Sequence, residues 1–257
     1  MRDVAIGIDI GGSGIKAAFV DVASGELMTE RVRLATPHPA TPAAVAATVA
    51  EVYAQVRSSA PELAPVAVGA TFPAVVRSGV TLSAANVDAA WIGDRAEERF
   101  SEALGTPLSL LNDADAAGMA EIGFGVARDV RGVVLVLTLG TGIGSALVVD
   151  GTLVPNTELG HLSFRGHDSV EDWVSDRARR AEGLSWKRWG KRLEAYLKHL
   201  TVLFSPELIV LGGGVSRRFE DKIAPRLELR TPVTAAALRN EAGIVGVAWH
   251  ASRTART

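Results

Sequence analysis

The 257-residue chain contains no cysteine. That one absence excludes a disulfide scaffold, a cysteine zinc site, an iron–sulfur centre and a cysteine nucleophile. Neither sign of charge dominates, with 27 Lys and Arg against 29 Asp and Glu, a net charge of −2 and a sequence pI near 6.2. Such a balance does not mark a nucleic-acid binder. No apolar run approaches the roughly 18 residues a membrane helix requires. The opening Met1-Arg2-Asp3 leads into a short apolar run broken by Asp9, which is not a signal-peptide pattern. A soluble, cytoplasmic protein is expected. What the chain does have is 47% hydrophobic and 22% charged residues, ordinary for a globular protein of one large or two modest domains.

The 26 glycines fall in clusters that punctuate the sequence. Gly11-Gly12-Ser13-Gly14 follows the apolar run Val4–Ile8, and Ile15–Val20 beyond it alternates like a strand. Asp21–Glu26 reads as a turn, followed by an extended stretch through Leu34, so two or three antiparallel strands are predicted. Thr41-Pro42 opens a helix to about Ser59 with Val45, Val49, Val52 and Val56 on one face. Residues 65–71 predict a buried strand, 94–104 a helix, and 109–111 a short strand ending in Asn112-Asp113-Ala114-Asp115. At Arg131 the opening theme restarts: a strand, the turn Gly140-Thr141-Gly142-Ile143-Gly144, a second strand and another turn. The duplication predicts two similar α/β lobes with a cleft for ligands. Residues 184–204 show helical spacing, 207–211 a last strand before Gly212-Gly213-Gly214, and 242–253 a closing helix.

Three glycine turns at strand ends point to backbone N–H groups gathered around phosphate. Gly12-Ser13-Gly14-Ile15-Lys16-Ala17 matches a dinucleotide fingerprint in spelling, but a strand follows it where that motif needs a helix. No phosphate-loop lysine motif occurs either. Asp9, beside the first turn, is a candidate Mg²⁺ partner, through water, or a turn cap. Lys16 suits either donor phosphates or the solvated side of a hairpin. Asp113 stands where a strand ends among small residues, a position suited to a general base, with Asn112 orienting substrate; helix capping is the plainer role for both. Glu158 and His161, three apart beside Gly160, suit vicinal sugar hydroxyls.

In their order along the chain, 9-DIGGSGIK-16, 111-LNDAD-115, 137-LTLGTGIG-144, 157-TELGH-161 and 212-GGGVS-216 resemble the ROK sugar kinases. Ser13–Lys16, Pro155–His161, Phe204–Glu207 and the length are most similar to the polyphosphate-using glucokinases within that family. The resemblance covers nearly the whole chain. It implies a two-lobed, actin-like (hexokinase-like) α/β fold with the active site in the cleft between lobes. A division after residue 112 follows, with helix 243–257 joined to the first lobe and 113–242 forming the second. The implied reaction is phosphoryl transfer from polyphosphate, and from ATP, to the 6-hydroxyl of glucose. Asp113 would be the general base. Asn86, Asn112, Glu158 and His161 would bind sugar, with Glu171 as a further contact. Asp9, Gly11, Gly12, Ser13, Gly14, Lys16, Thr138, Gly140, Thr141, Gly142, Gly213 and Gly214 would hold the donor with Mg²⁺. A homodimer is implied as well.

Two departures accompany the resemblance. Most ROK kinases carry a cysteine-rich zinc motif after the Glu-x-Gly-His segment, where this chain has 166-GHDSVED-172, so no zinc is expected. Ser169-Val170 also replaces the usual Ala-Glu. The basic segment 177–198, with Lys187, Arg188, Lys191 and Arg192, is a candidate track for a polyphosphate chain or a solvated helix face. Trp186 and Trp189 could stack on adenine, although Trp189 belongs to the apolar stripe. Alternatives to the leading reading are a strictly ATP-dependent glucokinase or fructokinase, and a non-enzymatic sugar sensor.

Overall fold

A computed structural model describes residues 3–84 and 87–255. The first half opens with β1 (Val4–Gly11) and β2 (Gly14–Asp21), a hairpin whose last pair is Gly11 with Gly14. The short strand β3 (Val32–Leu34) pairs antiparallel with β2. Helix α1 (Pro42–Ser59) begins as its sequence predicts. The Thr41 hydroxyl accepts the Ala44 N–H at 3.4 Å, proline occupies the first turn, and Val45, Val49, Val52 and Val56 are buried. Then come β4 (Pro65–Phe72), the two-residue strands β5 (Val76–Arg77) and β6 (Val80–Thr81), α2 (Ala96–Leu104), β7 (Ser109–Asn112) and α3 (Asp113–Gly123).

The second half repeats the plan. Strands β8 (Val133–Leu139) and β9 (Ile143–Val149) form a hairpin, and β10 (Thr152–Val154) extends it. Helices α4 (Glu171–Val174), α5 (Asp176–Ala181) and α6 (Trp186–Phe204) precede β11 (Leu208–Gly212) and β12 (Val233–Ala235), and α7 (Ala242–Thr254) follows. The sheet orders are β3-β2-β1-β4-β7 and β10-β9-β8-β11-β12. In each, the first three strands in sequence form an antiparallel meander, and the first pairs on its other side with a parallel strand that pairs in turn with a second one. The duplicated glycine hairpins are therefore the start of a duplicated five-stranded sheet.

The chain divides into a unit running to Gly123 and resuming at Glu241, and a second unit of Phe124–Asn240. The expected division after residue 112 differs in the placement of α3. That helix lies against α7, where a Cβ on Gly246 would come within 1.8 Å of the Ala116 carbonyl oxygen. Backbone contact this close ties α3 to the first unit. The same helix α7 lies across the sheet, since a Cβ on Gly7 or Gly69 would reach the carbonyl oxygens of Ile244 and Val247 at 2.0 and 2.4 Å. Only glycine lets helix and strands approach so closely.

The first core is centred on Phe72, Trp91 and Phe100, with Phe72 and Trp91 centroids 4.4 Å apart. In the second, Trp189, Leu193, Tyr196, Leu197 and Leu200 of α6 are buried with Leu135, Leu137 and Leu211. Trp189 gives its indole N–H to the Val174 carbonyl at 2.8 Å, so it is core and unavailable to adenine. The strand expected through Leu34 contracts to β3 plus an isolated bridge between Val20 and Leu27. Strands β5, β6 and β12 carry too few residues to show a period.

Candidate active site

In the first unit, a polar row crosses the sheet at the C-terminal end of β1. Asp9 pairs in register with Lys16 on β2 and Thr71 on β4, and Lys16 pairs with Arg33 on β3. Side chains of directly opposed residues share a face, so these four form one line. Lys16 Nζ donates to Asp9 Oδ2 at 3.2 Å, and the buried Thr71 hydroxyl donates to Asp9 Oδ1 at 3.1 Å. The carboxylate is held from both sides while its side chain stays 20% exposed.

The adjoining turn is built to leave space. A Cβ on Gly12 would meet nothing within 4 Å, and the same holds for Gly140 and Gly214 in the second unit. None of the three adopts positive φ. Neither packing nor backbone strain demands glycine there, whereas close approach of a ligand to the backbone would. Gly213 is different: it has φ of 77°, and a Cβ would lie 2.4 Å from the Leu139 carbonyl oxygen.

At the end of β7, Asn112 and Asp113 both accept backbone N–H groups at the start of α3. Asn112 is the cap. Its Oδ1 accepts the N–H groups of Ala114 and Asp115 at 2.8 and 3.2 Å, and its Nδ2 donates to the Ala74 carbonyl at 3.0 Å. That donation uses one of the two Nδ2 hydrogens. Asp113 is exposed in the first turn of α3, and its Oδ1 takes the Ala114 N–H at 2.9 Å. Asn86 lies outside the described residues.

The second unit gathers another group. Within the turn after β8, the Gly140 N–H closes on the Gly142 carbonyl at 3.0 Å, and the Ile143 N–H goes to Glu171 Oε2 at 3.0 Å. Among the described residues this leaves the Thr141 and Gly142 N–H groups without a hydrogen-bond partner. Glu171 fills the space beside Gly142, where a Cβ would lie 2.4 Å from its carboxylate. It is thus a support of the glycine turn. The Arg177 guanidinium lies 3.9 Å from Glu171, and the Arg177 N–H donates to the Gly140 carbonyl at 3.1 Å. Thr138 pairs with Gly144 and Gly212, which sets Gly213 and Gly214 beside the same turn.

Glu158 and His161 flank a short 3-10 turn, with Oε2 and Nε2 3.6 Å apart. Burial pushes the Glu158 carboxyl above the usual glutamate range; His161 opposes the shift and nearby Glu171 adds to it. Ser169 gives its hydroxyl to the Gly160 carbonyl at 2.9 Å and lies 3.4 Å from His161 Nδ1. The buried Tyr196 hydroxyl donates to the Leu159 carbonyl at 3.1 Å. Together these contacts fix the turn that carries Glu158 and His161.

The basic segment is partly committed. Arg192 forms a two-pronged pair with Glu182 at 2.7 and 2.6 Å and stacks over Trp173 at 5.4 Å. Arg179 and Arg180 both pair with Asp176, at 2.7 Å each. Lys187, Arg188 and Lys191 remain exposed on α6. Among the described residues, no group of three or more acidic, histidine or cysteine side chains is placed to hold a metal ion. Arg33 and Thr71 carry no motif, and sequence reasoning passed over them; Arg177 was read only as the start of the basic segment, not as a support of the glycine turn. For Arg33 the pairing of β3 with β2 is decisive, and the irregular stretch before it hides that register.

The sequence profile of the ROK family matches residues 5–171. The chain belongs to the ROK family. It is 45% identical over 94% of its length to a polyphosphate glucokinase of Mycobacterium tuberculosis, 89% of which is covered. It superposes with a TM-score of 0.92 on an inorganic polyphosphate/ATP-glucomannokinase from Arthrobacter sp. strain KM, at 49% identity, covering 98% of this chain and 100% of that one. A ROK glucokinase from Streptomyces griseus, solved with glucose and AMPPNP, shares the fold with a TM-score of 0.80 and 24% identity, over 97% and 99% of the two chains. The duplicated sheets are therefore those of the actin-like fold of ROK hexokinases.

This ROK chain stabilises the stretch after His161 without cysteine. The His167 ring stacks on Trp173 with centroids 5.5 Å apart, and Phe164 packs against the same indole at 5.9 Å. Val170 is fully buried, which accounts for an apolar residue at the departure Ser169-Val170. No helix among the described residues is long and apolar enough to cross a membrane.

Proposed function

We propose that the chain transfers the terminal phosphoryl group of inorganic polyphosphate, and of ATP, to the 6-hydroxyl of glucose. The observation that carries this reading is the 45–49% identity, over nearly the whole chain, to proteins described as a polyphosphate glucokinase and a polyphosphate/ATP-glucomannokinase. The open glycines at 12, 140 and 214 and the exposed Asp113 support it independently.

In the proposed reaction, the glucose 6-oxygen attacks the terminal phosphorus as the bridging P–O bond breaks. The hydroxyl proton passes to the Asp113 carboxylate. Polyphosphate leaves one phosphate shorter, or ATP leaves as ADP. A rigid carboxylate at a strand end, with its Oδ1 fixed by a backbone N–H, is suited to hold that proton acceptor in line. Glu158 and His161 hold sugar hydroxyls, with the remaining Nδ2 hydrogen of Asn112. The Thr141 and Gly142 N–H groups and the Gly12 turn take donor oxygens, so that charge developing on the transferred group meets fixed dipoles.

Mg²⁺ is ordinarily held by one or two carboxylates together with water and substrate phosphates. Asp9 offers one partly exposed carboxylate beside the glycine turn, paired with Lys16, and so fits that role through water. When bound, Mg²⁺ neutralises charge on the donor phosphates. The absence of cysteine suits the cytoplasm, and a homodimer is the proposed assembly.

The test is Asp113→Asn. Turnover should fall about 10²- to 10⁴-fold, as expected on loss of a general base, while glucose still binds in calorimetry. Loss of glucose binding together with activity would remove Asp113 from that role.

A further inference from the structure

At the first glycine turn, charges do not cancel. Lys16 is neutralised by Asp9 at 3.2 Å, but among the described residues no carboxylate pairs with Arg33. Arg33 is nevertheless held in place. Its Nη2 donates to the Ser13 carbonyl at 3.0 Å, and its guanidinium lies across Gly14, where a Cβ would come within 2.8 Å. One of five N–H donors is used by that carbonyl, so most of a planar, permanently charged fork is presented from an exposed position.

Its place in the sheet gives this cation a direction. Asp9, Lys16 and Arg33 lie on adjacent strands, and β3 is the sheet edge. With strands roughly 4.8 Å apart, Arg33 sits about 10 Å outward from Asp9. A phosphate chain whose end lies at Asp9 and Gly12 and which runs outward across the row meets Lys16 first and Arg33 next. Among the described residues no strand of this sheet lies beyond β3 to block its exit.

Resting on the donor role proposed for this turn, we propose that Arg33 binds phosphates of the donor chain outward of the transferred group, and so favours polyphosphate over ATP. The guanidinium contacts a second or later phosphate with charge-assisted hydrogen bonds. Its bond to the Ser13 carbonyl pre-orients it and couples chain binding to the geometry of the glycine turn. Arg33 is a specificity-determining residue, and the bonds that make and break remain those of the main reaction.

Two variants and two measurements test this. Arg33→Gln and Arg33→Lys are compared with the unaltered chain by titration calorimetry with polyphosphate of several tens of phosphates, without glucose. The same proteins are assayed for glucose 6-phosphate with polyphosphate and with ATP. Arg33→Gln should weaken polyphosphate binding and raise its KM about tenfold to a hundredfold, with less than about a threefold change for ATP. Tm and the glucose KM should not move, Arg33→Lys should recover part of the loss, and added salt should weaken the variant less than the parent. Unchanged polyphosphate affinity would overturn the proposal. So would equal losses with both donors, or losses that track a lowered Tm in both variants, since these describe a strap between strands. If the unaltered chain binds polyphosphate through Arg33 yet forms no glucose 6-phosphate, the phosphotransferase reading fails and the Arg33 site stands.

Discussion

Three glycines with the same side chain, or lack of one, carry opposite meanings here, and substitution separates them. A Cβ at Gly12 meets nothing, so Gly12→Ala should leave Tm unchanged while raising donor KM; a fall in Tm without a change in KM would make the glycine structural. At Gly142 the added carbon meets Glu171 at 2.4 Å, so both quantities should suffer. Gly14→Ala should displace only the far end of Arg33, and thus mimic loss of that guanidinium at little cost in stability. Glu158 makes a pH prediction. Its carboxyl is raised mainly by burial, with Glu171 adding and His161 opposing. A carboxyl with a raised folded pKa stabilises the fold below the ordinary glutamate range, and that contribution is lost as pH rises through the raised value. Glucose binding runs the other way, because the ionised form is the better acceptor of sugar hydroxyls. Glucose affinity should therefore rise with pH along a limb lying above the ordinary glutamate value of about 4.3. In Glu158→Gln the limb should flatten. Its survival there would show that Glu158 is not its origin.

Among the elements, those long enough to show a period were legible. The valine stripe of α1 and the Trp189, Leu193, Tyr196, Leu197 and Leu200 stripe of α6 are the buried faces found in the structure, while Leu203, expected on the same stripe, is exposed near the helix end. The paired glycine hairpins announced the duplicated sheet, because a turn between alternating segments sets an antiparallel register locally. Less visible were contacts with partners far away in sequence. The attachment of α3 to α7 depends on Gly246 meeting Ala116, and spacing does not reveal such a pair. Likewise sequence left capping open for both Asn112 and Asp113, and the backbone amides each accepts are visible only in the structure. The α3–α7 contact makes its own prediction. Gly246→Ala would force a Cβ within 1.8 Å of a carbonyl oxygen, and overpacking of this kind costs about 1–3 kcal/mol or more in denaturant unfolding. A neutral substitution would mean the helices can separate freely. Removing the stacked indole by Trp91→Ala should cost about 3–5 kcal/mol, as Trp91 is fully buried and its N–H holds the Ala40 carbonyl at 2.8 Å.

For the whole molecule, the near-zero charge balance conceals local order. The net charge is −2, yet cations are concentrated at the β2–β3 edge and along α5 and α6. Those on α5 and α6 are partly spent: the Arg192 guanidinium holds the Glu182 carboxyl below its usual range, and Asp176 takes both Arg179 and Arg180. Exposed Lys187, Arg188 and Lys191 remain available for a donor chain. Neutralising them together should weaken polyphosphate use more than ATP use, and equal losses would place α6 outside the donor site. The central claim is phosphoryl transfer from polyphosphate to glucose. Its most direct test is glucose 6-phosphate formation with Mg²⁺, comparing polyphosphate and ATP at matched phosphoryl concentration. The account predicts turnover with both and a higher kcat/KM with polyphosphate. Turnover with ATP alone, or with neither donor, would contradict it.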